Sequence, residues 1–143
     1  MIFHIYFYLN KIKKEKINYL TTKVQLNYLK QYLGDPVFIN YSKDKKQKEY
    51  IFIDEDFYTQ LITNDNDKVL AFFITLRKKD FNPQVKKQAF NIILGKSTLK
   101  DIYDKNLITK CIGFLGNTAR SYYFEEYYFG RSGYYQNYIF GYN

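Results

Sequence analysis

The sequence predicts an α+β domain in which an N-terminal helix packs on a mainly antiparallel β-sheet and an aromatic β-hairpin ends the chain. Three observations carry that expectation. Residues 16–33, KINYLTTKVQLNYLKQYL, set Ile17, Leu20, Val24, Tyr28 and Tyr32 three or four residues apart, the period of one helix face. Residues 49–77 hold three short runs, EYIFI, FYTQLIT and KVLAFFITLR, rich in β-branched and aromatic residues and separated by polar turns. The tail, SYYFEEYYFGRSGYYQNYIFGYN at 121–143, contains eleven Tyr or Phe. Disordered chains are poor in aromatics; this one is 21% aromatic over 143 residues, so a packed core is expected.

The elements follow in chain order. The sequence opens MIFHIYFYL and continues NKIKKEK. Nine such residues are too few to span a bilayer, which takes about 20, and no basic leader or small-residue cleavage site marks a signal peptide. Residues 1–15 are therefore read as an apolar and basic arm or a truncated membrane anchor, ahead of a single domain at 16–143. Three readings of the arm stay open: a first β-strand, the clipped end of an anchor, or an interfacial segment with Lys11, Lys13, Lys14 and Lys16 on lipid headgroups. Residues 1–16 are the part expected to meet a membrane. His4, the one histidine, reads as a packing residue.

The helix ends where Gly34 and Pro36 forbid its continuation, with Leu26, Leu29 and Leu33 widening its apolar stripe and Lys23 and Lys30 facing out. Val37-Phe38-Ile39 begins a short strand, followed by the charged loop SKDKKQK. The three runs then form strands at 49–53, 57–63 and 68–77, the last two joined by a hairpin turn at NDND, whose side chains tolerate positive φ. Asp80-Phe81-Asn82-Pro83 breaks the pattern. FNIIL at 90–94 is a further strand turned by Gly95-Lys96, and Thr98 with Asp101 three residues on opens a short capped helix. Residues 111–115 are a short apolar run. GRSG at 130–133 turns the tail between strands at 122–129 and 134–140. Alternation places Tyr123, Glu125, Tyr127 and Phe129 on one face of the hairpin, and Phe124, Glu126 and Tyr128 on the other.

Several chemistries are disfavoured. GKST at 95–98 lacks the upstream glycine of a phosphate loop, since Phe90 occupies that position. STLK at 97–100 lacks the companion motifs of penicillin-recognising enzymes. Asp54-Glu55-Asp56 and Asp65/Asp67 lack the alternating ligands, central Gly and closing Glu of a calcium loop, and read as solvated turns. Glu125 and Glu126 are adjacent, so a strand points them to opposite faces. The single histidine, His4, is distant in sequence, which disfavours Ser-His-Asp and Cys-His catalysis. Cys111 is alone, which excludes an intramolecular disulfide and fits a small buried apolar residue. No cofactor or metal is expected.

The net charge is +8, but it is unevenly spread. Residues 1–34 carry six lysines against one glutamate, residues 35–100 carry twelve bases against nine acids, and residues 101–143 are balanced. The positive charge and the aromatic tail therefore lie apart, whereas stacking on single-stranded nucleic acid needs the two interleaved.

Together, Leu33-Gly34-Asp35-Pro36-Val37-Phe38, Asp80-Phe81-Asn82-Pro83 and Leu94-Gly95-Lys96-Ser97-Thr98 precede a tail marked by Phe124-Glu125, Tyr127-Tyr128-Phe129-Gly130, Gly133, Tyr135 and Tyr138. In that order, over about residues 26–143, they make the chain resemble the ETEC-type domain, a bacterial family known by a locus label. The resemblance implies a membrane segment ahead of the domain and no established activity. A fainter likeness, of architecture alone, is to β-lactamase-inhibitor-like modules in which a helix ends in Leu-Gly-x-Pro before an antiparallel sheet.

The function expected is a non-enzymatic, envelope-associated module that binds a partner protein or a surface glycan. Its candidate ligand face is Arg120, Tyr123, Glu125, Tyr127, Arg131, Tyr135 and Tyr138. Two alternatives stay beside it. One is a basic nucleic-acid-binding domain, which the neutral tail disfavours. The other is an enzyme of unrecognised type that uses Glu125, Glu126, Arg120, Arg131 and the tyrosines. The cell envelope or membrane is the favoured location, with the cytoplasm kept open.

Overall fold

The computed structural model describes residues 13–44, 46–87, 90–102, 108–117, 121–129 and 135–142. They form mostly antiparallel sheet with two short helices. The chain divides into two compact units, one of Met1–Val85 with Ile93–Lys96 and the other of Lys86–Ile92 with Ser97–Asn143. β5 (Gln84–Lys87) and β6 (Phe90–Ile93) form a two-stranded sheet.

The first unit is built on β1 (Phe38–Tyr41), β2 (Gln47–Ile53), β3 (Phe57–Asn64) and β4 (Val69–Leu76) in the spatial order β1-β2-β3-β4. Each neighbouring pair is antiparallel. The alternation visible in the sequence sets the two faces. Phe57, Thr59, Leu61 and Thr63 of β3 are buried, while Tyr58 between the first two is exposed. The β3–β4 turn matches the NDND expectation. Asn64 accepts hydrogen bonds from the N–H groups of Asn66 (3.1 Å) and Lys68 (2.9 Å), and Asp67 takes φ 57°.

The continuous helix expected at 16–33 is corrected to a broken one. Residues 13–16 are helical and run into a 3-10 turn at Ile17–Tyr19; α1 then spans Leu26–Leu33. Between them the backbone pairs with the start of β4 instead. Lys23 N–H donates to Val69 O (2.8 Å), Val69 N–H to Val24 O (2.8 Å) and Leu26 N–H to Asp67 O (2.9 Å), with Lys23 at φ 67°. Those bonds replace the helical ladder, and the β-branched pair Thr21-Thr22 weakens the competing helix. The apolar positions still reach the core: Leu20, Leu26 and Leu29 cluster with Tyr50, Phe52, Leu61 and Val69. Each fully buried aliphatic side chain of this kind stabilises the fold by roughly 1.5–3 kcal/mol. Tyr28, expected on the stripe, is exposed, and it meets Tyr32 edge-on while Tyr19 stacks on Tyr32 at 4.4 Å. Gly34 ends α1, its N–H donating to Lys30 O at 2.8 Å.

In the second unit, α2 (Leu99–Ile102) starts as the capping pattern predicts, with Asp101 Oδ2 accepting from Thr98 N–H (2.6 Å) and Thr98 Oγ1 (3.1 Å). β7 (Ile108–Gly116), β8 (Ser121–Phe129) and β9 (Gln136–Tyr142) form an antiparallel sheet in that order. The apolar run at 111–115 is thus part of a nine-residue strand flanking the tail, and the tail's two strands belong to a three-stranded sheet. Gly113 stands opposite Phe124, whose ring occupies the space a Cβ at Gly113 would need. An aromatic ring over a cross-strand glycine fills the gap left in the strand. β5 escaped the sequence reading because its QVKK has one apolar residue and follows Pro83.

Candidate binding face of the C-terminal sheet

The period of two along β8 sorts the aromatic tail into two unlike faces. On the first, Tyr123, Glu125 and Tyr127 stand in a row. Tyr123 OH donates to Glu125 Oε1 at 2.9 Å, and Tyr127 OH donates to Glu125 Oε2. Across the ladder Glu125 pairs with Phe140 and Tyr127 with Tyr138. Phe90 meets Tyr138 edge-on at 5.1 Å and Phe140 at 5.3 Å, and Tyr127 meets Phe140 at 6.0 Å. Tyr127 is 1% exposed. Tyr138 is half-buried, its hydroxyl donates to Gln136 Oε1 at 3.2 Å, and burial pushes its phenol up from the ordinary value. These contacts are those of a packed aromatic layer with one carboxylate serving two phenols.

The opposite face is open. Tyr128 (49% exposed) stacks on Tyr135 (48%) with ring centroids 5.3 Å apart, and Ile139 is 58% exposed. Asn137, directly across from Tyr128, is exposed as well. Glu126, across from Ile139, is half-buried.

Four of the seven candidate residues, Tyr123, Glu125, Tyr127 and Tyr138, therefore come together on the packed face. Tyr135 lies with Tyr128 on the open one. Arg120 and Arg131 lie outside the described residues. Tyr128, Asn137 and Ile139 were not singled out from the sequence. Parity alone could have found Tyr128 once Tyr127 was known to point inward, but nothing local says which parity points inward.

The acidic turns of the first unit are held by lysines. Lys13 Nζ lies 3.9, 3.3 and 3.6 Å from Asp54, Glu55 and Asp56, and Lys78 Nζ lies 3.0 Å from Asp56. Asp56 is 7% exposed, so this turn is less solvated than its composition suggests. Its hydrogen bond to Asp56 holds the Lys78 ammonium above its ordinary value. Arg77 donates to Asp54 O at 2.7 Å and lies over the Tyr58 ring. At the other end of the sheet, Lys48 (2.9 Å) and Tyr50 OH (2.7 Å) both donate to Asp67 Oδ1. The Lys48 bond, then the Tyr50 bond, draws the Asp67 carboxyl below the usual range. Among the described residues no group of three His, Cys, Asp or Glu side chains converges as a metal site, and no helix is long and apolar enough to cross a membrane.

No family model, no curated protein and no solved structure matches this chain.

Proposed function

We propose that the protein is a non-enzymatic binding module whose partner is another protein, engaged through the open face of the β7–β8–β9 sheet. The observation that carries this reading is the exposed Tyr128–Tyr135 stack beside Ile139. Tyrosines give large contact area at low conformational cost and keep a hydroxyl for the wet margin of an interface. The sheet's other face is packed through the Glu125 carboxylate and the Phe90–Phe140 contact. The architecture behind the proposal is an N-terminal helix laid on an antiparallel sheet and a C-terminal aromatic hairpin. Its envelope placement rests on the resemblance to the ETEC-type domain and on the apolar and basic residues 1–16.

The test compares photocrosslinking from position 137 in envelope fractions with and without Tyr128→Ala and Ile139→Asp. A discrete protein adduct that both substitutions abolish, with unchanged circular dichroism and unfolding midpoint, supports the proposal. An adduct indifferent to both removes the face. Loss of glycan binding with no protein adduct reassigns the ligand to a sugar. Recovery of the protein in the soluble cytosol removes the envelope placement. Tyr127→Ala serves as the contrast: it empties a buried ring position and is expected to cost about 3–5 kcal/mol of stability.

A further inference from the structure

β3 buries a hydroxyl that the fold leaves unanswered. Thr59 is 1% exposed, and its Oγ1 has no hydrogen-bond partner among the described residues. Its neighbours across the two ladders are Phe52 and Ile74, whose side chains offer none. A buried hydroxyl without a hydrogen bond costs stability that a valine in its place would not, and buried polar groups are otherwise almost always paired. Thr59 lines a small recess of the first unit, partly open to solvent, together with Lys16, Asp54, Tyr32, Leu33 and Phe57. The cavity volume of about 10 Å³ gives room for one water-sized group. Lys16 is half-buried, and no carboxylate among the described residues lies within ion-pairing distance of it. The opposite charge at the recess is already met. Asp54 Oδ1 accepts from Asp56 N–H at 3.2 Å and lies 3.9 Å from Lys13 Nζ.

We propose that this recess binds the carboxylate of a small organic acid. One carboxylate oxygen takes the water-sized space and accepts from the Thr59 hydroxyl, and the Lys16 ammonium supplies the counter-charge. Hydrogen bonds to an ionised group are the strong ones, so one ligand answers both the orphaned hydroxyl and the unpaired lysine. Other ligand classes answer less. A cation is opposed by Lys16. A phosphate or sulfate dianion brings a second charge against Asp54 with no further lysine lining the recess. A water satisfies the hydroxyl and leaves Lys16 without a counter-charge. Leu33 and Phe57 make the walls apolar, which favours an aliphatic substituent over a hydroxylated one. A ligand of so few atoms binds with a dissociation constant on the order of 1–10 mM.

Amide chemical-shift titration of the full chain at constant ionic strength tests the proposal. Sodium acetate and sodium butyrate are the probes, with sodium chloride and the neutral isostere acetamide as controls. Saturable shifts at Lys16 and Thr59 are expected with both acids and with neither control, butyrate binding more tightly than acetate. Thr59→Val and Lys16→Met, which keep the shape and the aliphatic stem, are each expected to raise the dissociation constant by at least about tenfold. Thr59→Val is also expected to unfold at a higher midpoint than wild type in buffer free of carboxylates, because it removes the orphaned hydroxyl. Shifts that chloride or acetamide reproduce overturn the proposal, as does binding indifferent to either substitution. A lower midpoint for Thr59→Val overturns it too, by showing that the fold itself satisfies the hydroxyl. A crystal structure in saturating acetate with only a water on Thr59 assigns the recess to solvent and overturns it as well.

Discussion

Gly113 illustrates how a single position in this molecule is specified by its neighbour across the ladder. A Cβ there would fall within the Phe124 ring, so Gly113→Ala is expected to cost about 1–3 kcal/mol through overpacking, read as a lower urea midpoint. Combining it with Phe124→Leu should recover part of the loss, because the collision is with the ring and not with the backbone. Asp67 makes the pH-sensitive counterpart. Its carboxyl is held below the ordinary range by Lys48 and then Tyr50. A depressed folded-state pKa contributes stability that is present above the unfolded value of about 3.9 and is lost as pH falls through the folded one. Wild type should therefore lose stability more steeply between about pH 5 and pH 2 than Asp67→Asn, as followed by denaturant midpoints across that range. Asn tolerates the positive φ at this turn, so the comparison isolates the charge.

At the scale of the element, the end of α1 depends on one backbone conformation. Gly34 sits at φ 79°, ψ −151°, a region essentially reserved for glycine. It also has nothing within 4 Å of where a Cβ would be, so any cost of substitution is conformational and not steric contact with the rest of the fold. Gly34→Ala and Gly34→Asn are both expected to destabilise by about 1–3 kcal/mol, measured by thermal unfolding. Asn should rescue little, since its tolerance is for the left-handed helical region and not for this ψ. The position of that glycine was legible in the sequence; the break before α1 was not. The 3.6-residue period correctly marked Leu20, Leu26 and Leu29 as core. Periodicity reports which side chains are buried, however, and cannot report that Val69 and Asp67 take the backbone bonds of residues 23–26.

Across the whole molecule, the excess of base over acid does not translate into a free cationic surface everywhere. Lys13, Lys30, Lys48 and Lys78 are ion-paired with Asp54, Glu55, Asp56, Asp35 and Asp67. The exposed Tyr128–Tyr135 stack belongs to the part of the chain, residues 101–143, whose charges balance. Phosphate contacts supply most non-specific nucleic-acid affinity and are strongest at low salt. No retardation of a labelled single-stranded oligonucleotide is therefore expected at low ionic strength; retardation that Tyr128→Ala weakens would contradict the protein-partner reading.

By itself the sequence determined the local pieces of this protein: strands at 49–53, 57–63 and 68–77, the Asn64–Asp67 turn, the Thr98 cap and two strands in the tail. Each follows from short-range rules of alternation, turn chemistry and capping, which act over a few residues. Tertiary structure decided what those rules leave symmetric. A strand's two faces are equivalent until something covers one of them, so Tyr127 and Tyr128 differ in burial although their sequence surroundings are alike. The same holds for the edges, where the start of β4 is closed by residues 23–26 and β1 is left open. Both outcomes depend on residues far apart in the chain, which is why the aromatic tail could be foreseen and its exposed face could not.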